Sequence, residues 1–395
     1  RTASSKSPCG RWPAQRAPPA EMTGACIVVG GGILGASLAL GLARHGLDVT
    51  MLDEGDNALR ATRGNFGLVW VQAKGTGMPG YAAWSRDAAV LWPQLAADLL
   101  AETGIDVKLQ QPGGYYLCYS DEELQAREAS MRAIAQQVPG DYPFEMLSQP
   151  ELRQRLPQIG PEVAGACFTP MDGHVNPLKL YRALDEAGRL RGVRTVRECR
   201  VNAISFNAGL FELDTTQGKM QSHKLVLAAG LGNRDLALQV GLHAPVVPTR
   251  GQVLVTERVQ PFLHSPTNKL RQTDEGSVQI GDSVEDVGFD ESTTTDILQF
   301  MARRAVRSFP LLRDMNIVRA WAALRVMTPD GFPIYEESAS CPGAFVATCH
   351  SGVTLAATHV LRVAPWMAGG AAPEGIGIFH SARLAAPQGQ AMYVN

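Results

Sequence analysis

The sequence predicts an α/β fold in two parts: a Rossmann-like dinucleotide-binding domain that is discontinuous along the chain, and an inserted α+β domain on a mainly antiparallel sheet. Three observations carry this. A glycine-rich turn separates an apolar strand from an apolar helix near residue 30. Strands ending in small residues return far downstream, at 223–233 and 343–361. Between these returns lie charged helical stretches (76–165) and alternating strand-like pieces (246–318).

The first element is "ACIVVGGGILGASLALGLARHGLDVTMLDEG", residues 25–55. Ala25–Gly30 reads as a buried strand and Asp48–Asp53 as a second one. Ile33–His45 reads as a helix, with Leu34, Leu38 and Leu42 at helical spacing and Gly46 where a helix end favours a left-handed residue. The uncharged run from Thr23 to Ala43 is also long enough to cross a bilayer, which takes about 20 apolar residues. A basic, acid-poor stretch precedes it, as in a targeting segment. The ordered succession of strand, turn, helix, strand and terminal acid argues against both alternatives. Residues 1–21 are expected to be a disordered or non-native extension, with Met22 the natural start.

Gly30, Gly32 and Gly35 fit GxGxxG, and Asp53 closes the second strand 18 residues after Gly35. One glycine makes the tight turn, one lets a pyrophosphate approach the backbone, and one lets helix pack on strand. The helix N-terminus offers unpaired N–H groups to the phosphates. Asp53 accepts from a ribose diol and would repel a 2′-phosphate, so the ligand is FAD or NAD rather than NADP.

Composition narrows the function. The 395 residues are 45% hydrophobic and 19% charged, with net charge −2. Such a chain has no field for nucleic acid or an acidic membrane, and a small-molecule partner is expected. The seven cysteines are scattered with no CxxC pair, and none of the eight histidines has ligand spacing. A disulfide framework, a zinc site and any other metal are therefore not expected, and a reducing cytoplasm is the simplest location. No Ser-His-Asp order, paired carboxylates or P-loop can be assembled, which sets hydrolase and phosphotransferase chemistry aside. The expected organisation is a dinucleotide domain from 22–75, 166–245 and 319–395, and a substrate domain from 76–165 and 246–318.

A late return to the nucleotide domain suits a flavin enzyme better than a simple NAD dehydrogenase. The chain resembles the D-amino-acid oxidase (DAO) family of FAD enzymes from Ala25 to Leu384. The resemblance rests on residues 27–55, "ATRGNFGLVW", "DGHVNPLKLYRAL", "LVLAAGLGN", "PTRGQVLVTE", "WAALRVMTPDGFPI" and "CHSGVTLAATHV". Within that family it is similar to glycine and sarcosine oxidases, and to flavoprotein subunits of the opine oxidase and D-hydroxyproline dehydrogenase kind. The resemblance implies a GR2-type FAD-binding domain. It also implies oxidation of a small amino or imino acid (a D-amino acid, glycine-like, proline-like or opine) by hydride transfer from Cα, giving an imine that hydrolyses. Two alternatives stay open: a flavoprotein subunit passing electrons to a partner or quinone, and a non-catalytic assembly subunit. A quinone-linked enzyme would sit at the periphery of the inner membrane; a homo- or hetero-oligomer is compatible with either.

Candidate site residues follow. Thr62, Arg63, Gly64 and Asn65 are small or polar enough to run N–H groups along a flavin, as the matching segment does in similar enzymes, or to form an ordinary polar turn. Ser351, Gly352, Val353 and Thr354 open a predicted helix whose N–H groups could meet the flavin pyrimidine end. By resemblance alone, Gly31, Ile33, Glu54, Val201, Ala229 and Gly230 join the cofactor set. Arg325 sits between Leu324 and Val326 ahead of the turn "TPDG", and its planar fork matches a carboxylate. A structural salt bridge to Asp330 or another acid is the competing role; the resemblance implies the substrate-carboxylate clamp. Val326 and Cys349 depart from the Pro and Gly common in relatives. His350 either faces flavin or substrate or caps a loop, and His174 reads as structural. Some sarcosine oxidases attach FAD through a Cys where this chain has Ala323, so non-covalent FAD is expected.

Overall fold

The computed structural model describes residues 22–55 and 60–385, and of 22–24 the backbone alone. The extension expected at 1–21 lies outside these residues. The chain opens with β1 (Met22–Val29), α1 (Ile33–Arg44), β2 (Val49–Leu52), β3 (Leu68–Val69) and α2 (Pro79–Thr103). Next come β4 (Gly114–Cys118), α3 (Asp121–Gln137), β5 (Glu145–Ser148), α4 (Gln149–Arg155), β6 (Gly165–Thr169), β7 (Gly173–His174) and α5 (Pro177–Leu190). Then follow β8 (Arg194–Val196), β9 (Val201–Asn207), β10 (Leu210–Thr215), β11 (Gly218–Leu227), α6 (Asn233–Leu236) and β12 (Val247–Arg258). The chain closes with β13 (Leu270–Gln272), β14 (Ser277–Ile280), α7 (Thr295–Ser308), β15 (Ile317–Met327), β16 (Ile334–Glu337) and β17 (Ala344–Thr348).

The main sheet has the order β16-β17-β11-β1-β2-β8. Along this order the pairings are parallel except for the edge pair β16–β17, and β10 and β9 join the same sheet beside β11 by antiparallel pairing. β1 is central and apolar on both faces because both are covered. Cys26 and Val28 enter the core shared with α1, α2 and α5, while Ile27 and Val29 enter a second core with the β9–β10–β11 meander. Period-two alternation thus divides one short strand between two cores. Helix ends follow local chemistry. Asn176 Oδ1 accepts from Leu178 and Lys179 N–H, both 3.2 Å away, at the start of α5, where Pro177 needs no partner.

A second, wholly antiparallel sheet has the order β13-β14-β12-β15, and a third has β4-β6-β5. These pairings run past two expected boundaries. β6, beyond residue 165, is laddered between β4 and β5, and β15, which spans residue 319, pairs with β12 from Val247↔Met327 to Thr256↔Ile317. A strand's backbone groups are satisfied by its ladder partners, which here lie on the other side of those expected boundaries. Among the described residues no helix is long and apolar enough to cross a membrane.

Candidate active site

The glycine turn after β1 forms a cradle that no side chain could share. Gly30 has φ +106°, and a Cβ there would lie 2.3 Å from the Ala228 carbonyl oxygen; a Cβ on Gly35 would lie 1.8 Å from the Gly30 oxygen. α1 has no side-chain N-cap on Gly32, and the Ile33 N–H donates to Thr62 Oγ1 at 3.0 Å. Asp53 accepts from Gly31 N–H at 2.7 Å through Oδ2 and from Gly55 N–H at 3.0 Å through Oδ1. Each carboxylate oxygen keeps a lone pair for a ribose hydroxyl. A helix N-terminus whose N-cap residue carries no side chain, glycines in close backbone contact and a carboxylate beside them fit a dinucleotide.

The other predicted cofactor residues are distributed around this turn. Glu54 pairs with Arg60, and Arg63 is exposed on the following loop. The Gly64 carbonyl accepts from Trp321 Nε1 at 3.1 Å, joining that loop to β15; Asn65 Oδ1 accepts from Gly67 N–H at 2.7 Å. Ala229 N–H donates to Asn233 Oδ1 at 2.9 Å, and Gly230 stands against Val326. Val201 packs in the second core with Leu52 and Cys199, outside the cavity described below. Residues 352–355 form a turn, and regular helix begins only at Ala356. Within that turn Thr354 Oγ1 accepts from Trp70 N–H at 3.1 Å and donates to the Leu68 carbonyl at 3.3 Å, clamping β3.

A cavity of about 190 Å³ lies where segments 61–66, 323–326 and 349–354 converge. Both predicted catalytic residues line it. Arg325 comes from β15, opposite Thr249 of β12, and its guanidinium lies against Gly251, where a Cβ would stand 2.4 Å from both Nη atoms. Nη1 donates to the Ser283 carbonyl at 2.9 Å and to the Arg250 carbonyl at 3.3 Å; Nη2 pairs with Asp282. Asp282 also accepts from Lys269 Nζ at 3.0 Å. Burial works to raise its pKa, but Arg325 and Lys269 hold the carboxyl well below the usual carboxylate range. The acid beside Arg325 is thus Asp282; Asp330 is engaged with Arg383 at 2.7 Å. Arg325 remains 23% exposed, so the pair is not sealed off.

His350 lies with Nε2 3.1 Å from Lys74 Nζ and 3.0 Å from Ser351 Oγ, which accepts from Tyr81 OH at 2.9 Å. Burial, reinforced by the Lys74 and Arg325 charges, pushes the imidazole pKa well below its ordinary value, so the ring is neutral. His174, in contrast, is buried in the β3–β7 pair and is not among the residues lining this cavity.

Lys74, Lys269 and Asp282 were not singled out from sequence. Lys74 had a signal: it is the single charged residue between Arg63 and Arg86. Its loop is held by a buried carboxylate. Asp172 accepts from the N–H groups of Val71 (2.5 Å) and Gln72 (3.3 Å) and from Gln72 Nε2 (2.7 Å), and Gln72 Oε1 accepts from Arg127 of α3 at 3.1 Å. Burial pushes the Asp172 carboxyl up to about 7 against the lowering effect of these donors.

The one thiol lining the cavity, Cys349, has its pKa pushed up to about 12 by burial and is no thiolate at neutral pH. With Ala323 at the attachment position of similar enzymes, acid-denatured protein should release all its yellow colour to the supernatant. Flavin left on the precipitate, read by absorbance, would overturn non-covalent binding.

Comparisons with known proteins follow the same lines. The model of a family described as FAD dependent oxidoreductase (DAO) matches residues 25–361. A subunit of opine oxidase from Agrobacterium tumefaciens (strain Ach5) is 44% identical over 362 residues, covering 91% of this chain and 98% of the relative. Hydrogen cyanide synthase subunit HcnC of Pseudomonas aeruginosa is 28% identical, covering 85% of this chain and 90% of the relative. The crystal structure of glycine oxidase from Geobacillus kaustophilus superposes with a TM-score of 0.82 at 25% identity, covering 94% of this chain and 99% of that one.

Proposed function

Since the chain belongs to the DAO family of FAD-dependent oxidoreductases, we propose that it oxidises a small amino or imino acid at the carbon–nitrogen bond. An opine-type acid stands among the candidates, and the product is an imine that water hydrolyses. The observation that carries this reading is the Arg325 guanidinium, open to a cavity bounded by segments 61–66 and 349–354. The glycine turn, Asp53 and residues 62–65 would hold FAD, with 351–354 toward its ring; when bound, it supplies the acceptor for a hydride. The protein's share is placement. Arg325 meets the substrate carboxylate, its own position set by Asp282, Ser283, Arg250 and the bare backbone of Gly251. Charge-assisted pairing in a partly desolvated site orients the Cα–H, and orientation supplies much of the rate.

The test is an anaerobic screen of amino, imino and opine-type acids for bleaching of the flavin absorbance, followed by air. Bleaching by at least one such acid supports the reading; a flavin that none of them reduces overturns it and supports the assembly role. A second reading concerns the acceptor. Similarity to proteins named as subunits favours a chain that passes electrons to a partner or quinone rather than to oxygen. In that case the bleached flavin stays reduced in air.

A further inference from the structure

Six titratable side chains line the cavity: Lys74, Lys269, Asp282, Arg325, Cys349 and His350. An amino acid arrives with its nitrogen as ammonium, and that nitrogen needs its lone pair free before Cα can lose hydride. An acid that enters in its ammonium form has to lose that proton inside this cavity. Asp282 is held ionised between Arg325 and Lys269 and does not take it. His350 is neutral with a pKa far too low to hold it. Cys349 is already protonated, Arg325 has no acceptor, and Lys269 is committed to Asp282.

We propose that Lys74 Nζ is the proton acceptor for the bound substrate's ammonium group. The proposal rests on the amino-acid reading above. The substrate N–H bond breaks, its electron pair stays on nitrogen, and the proton adds to the lone pair of a neutral Nζ, leaving a neutral amine beside a Lys74 ammonium. Two features of the site suit this. Among the described residues Lys74 has no carboxylate within ion-pair distance, and its hydrogen-bond contact is the neutral His350 Nε2 at 3.1 Å. With its lone pair on Nε2, the neutral ring accepts an N–H from Nζ in either state, so the contact leaves the lone pair of the neutral amine free for the incoming proton. The groups facing Lys74 are Cys349, Asp282, Asp172, Arg325 and His350. Desolvation outweighs the two carboxylates there and brings the Lys74 pKa down to about 8. The loop is held at Gln72, two residues before Lys74, by Asp172 and Arg127, and the Nζ contact on the cavity side is His350.

The sign of the pH dependence decides the matter. A neutral Lys74 accumulates above its pKa, so in the holoenzyme the anaerobic flavin-reduction rate constant at saturating substrate should rise about tenfold from pH 7 to pH 9. Saturation removes the free substrate's own ionisation. Lys74→Met should keep its FAD and lose this rise, and Lys74→Arg, which cannot be neutral, should lose it too. An independent measurement uses no substrate: trace acetic anhydride labelling of Lys74 in the holoenzyme, followed by mass spectrometry, should have its midpoint near pH 8 rather than near the ordinary lysine value of about 10.4. A rate constant that falls with pH would make Lys74 a fixed cation for an anionic substrate group and overturn the proposal. A rise that persists in Lys74→Met, or a labelling midpoint near 10, would overturn it as well. If no amino, imino or opine-type acid reduces the flavin, the amino-acid reading has failed, and the labelling midpoint still reports whether Lys74 is a base.

Discussion

Arg325→Met is expected to lower kcat/KM for the acid substrate by about thirtyfold to several thousandfold, the equivalent of about 2–5 kcal/mol for removing one partner of a desolvated charge pair. Met keeps the bulk of the side chain beside Leu324 and Val326 while removing the fork. Asp282 loses one counter-ion but keeps Lys269 at 3.0 Å, so the carboxylate is not stranded and the fold should survive. FAD content and thermal midpoint should therefore stay near those of the parent. Amine analogues lacking the carboxylate should lose little, because they never used the fork. The decisive comparison is acid against decarboxylated amine in parent and variant. Equal losses on both would make Arg325 a support for Asp282 and Ser283, and undisturbed turnover of the acid would remove it from catalysis.

Gly35→Ala should produce colourless protein or lower FAD affinity by at least about a hundredfold. The added methyl would sit 1.8 Å from the Gly30 carbonyl oxygen, a backbone atom that cannot swing aside. Relief requires α1 to move off β1, which displaces the N–H groups at the start of the helix. Overpacking costs about 1–3 kcal/mol, occasionally more; a backbone clash this close belongs at the upper end, and about 2.7 kcal/mol corresponds to a hundredfold in affinity. Gly188→Ala on α5 is the control. Its nearest neighbour, Val193, would be at an ordinary 3.5 Å, so this helical glycine should accept a methyl with unchanged FAD binding and a small gain in stability. Isothermal titration of apoprotein with FAD, alongside the thermal midpoint, separates the two variants. Full FAD affinity in Gly35→Ala would mean that helix and strand are not in the contact described.

The cradle was legible in the sequence because every signal for it is local. Glycine spacing, the Leu34–Leu38–Leu42 face and Asp53 at the end of β2 all fall within 31 residues, and the strand–turn–helix–strand unit they specify is contiguous in the chain. Arg325 was legible for a related reason: a charge flanked by apolar neighbours in a strand must find an anion or line an opening. The identity of that anion was not, since Asp282, just after β14, reaches Arg325 of β15 only because both strands flank β12 and Gly251 of β12 lets the guanidinium lie on the backbone.

The proposed role of Lys74 was not legible in the sequence. Nothing in "WVQAKGTG" distinguishes a cavity amine from a surface one. The distinction arises when Asp172 and Arg127, 98 and 53 residues further on, pin Gln72, and when segment 349–351 closes over the amine. Sequence by itself thus determined the dinucleotide turn, the family resemblance and one candidate anchor. Tertiary structure alone decided which acid that anchor meets, where the antiparallel strands belong and which amine is desolvated. The physical reason is range: periodicity and turn chemistry act over a few residues, whereas the state of a charge depends on every group brought within a few ångströms of it, whatever its distance along the chain.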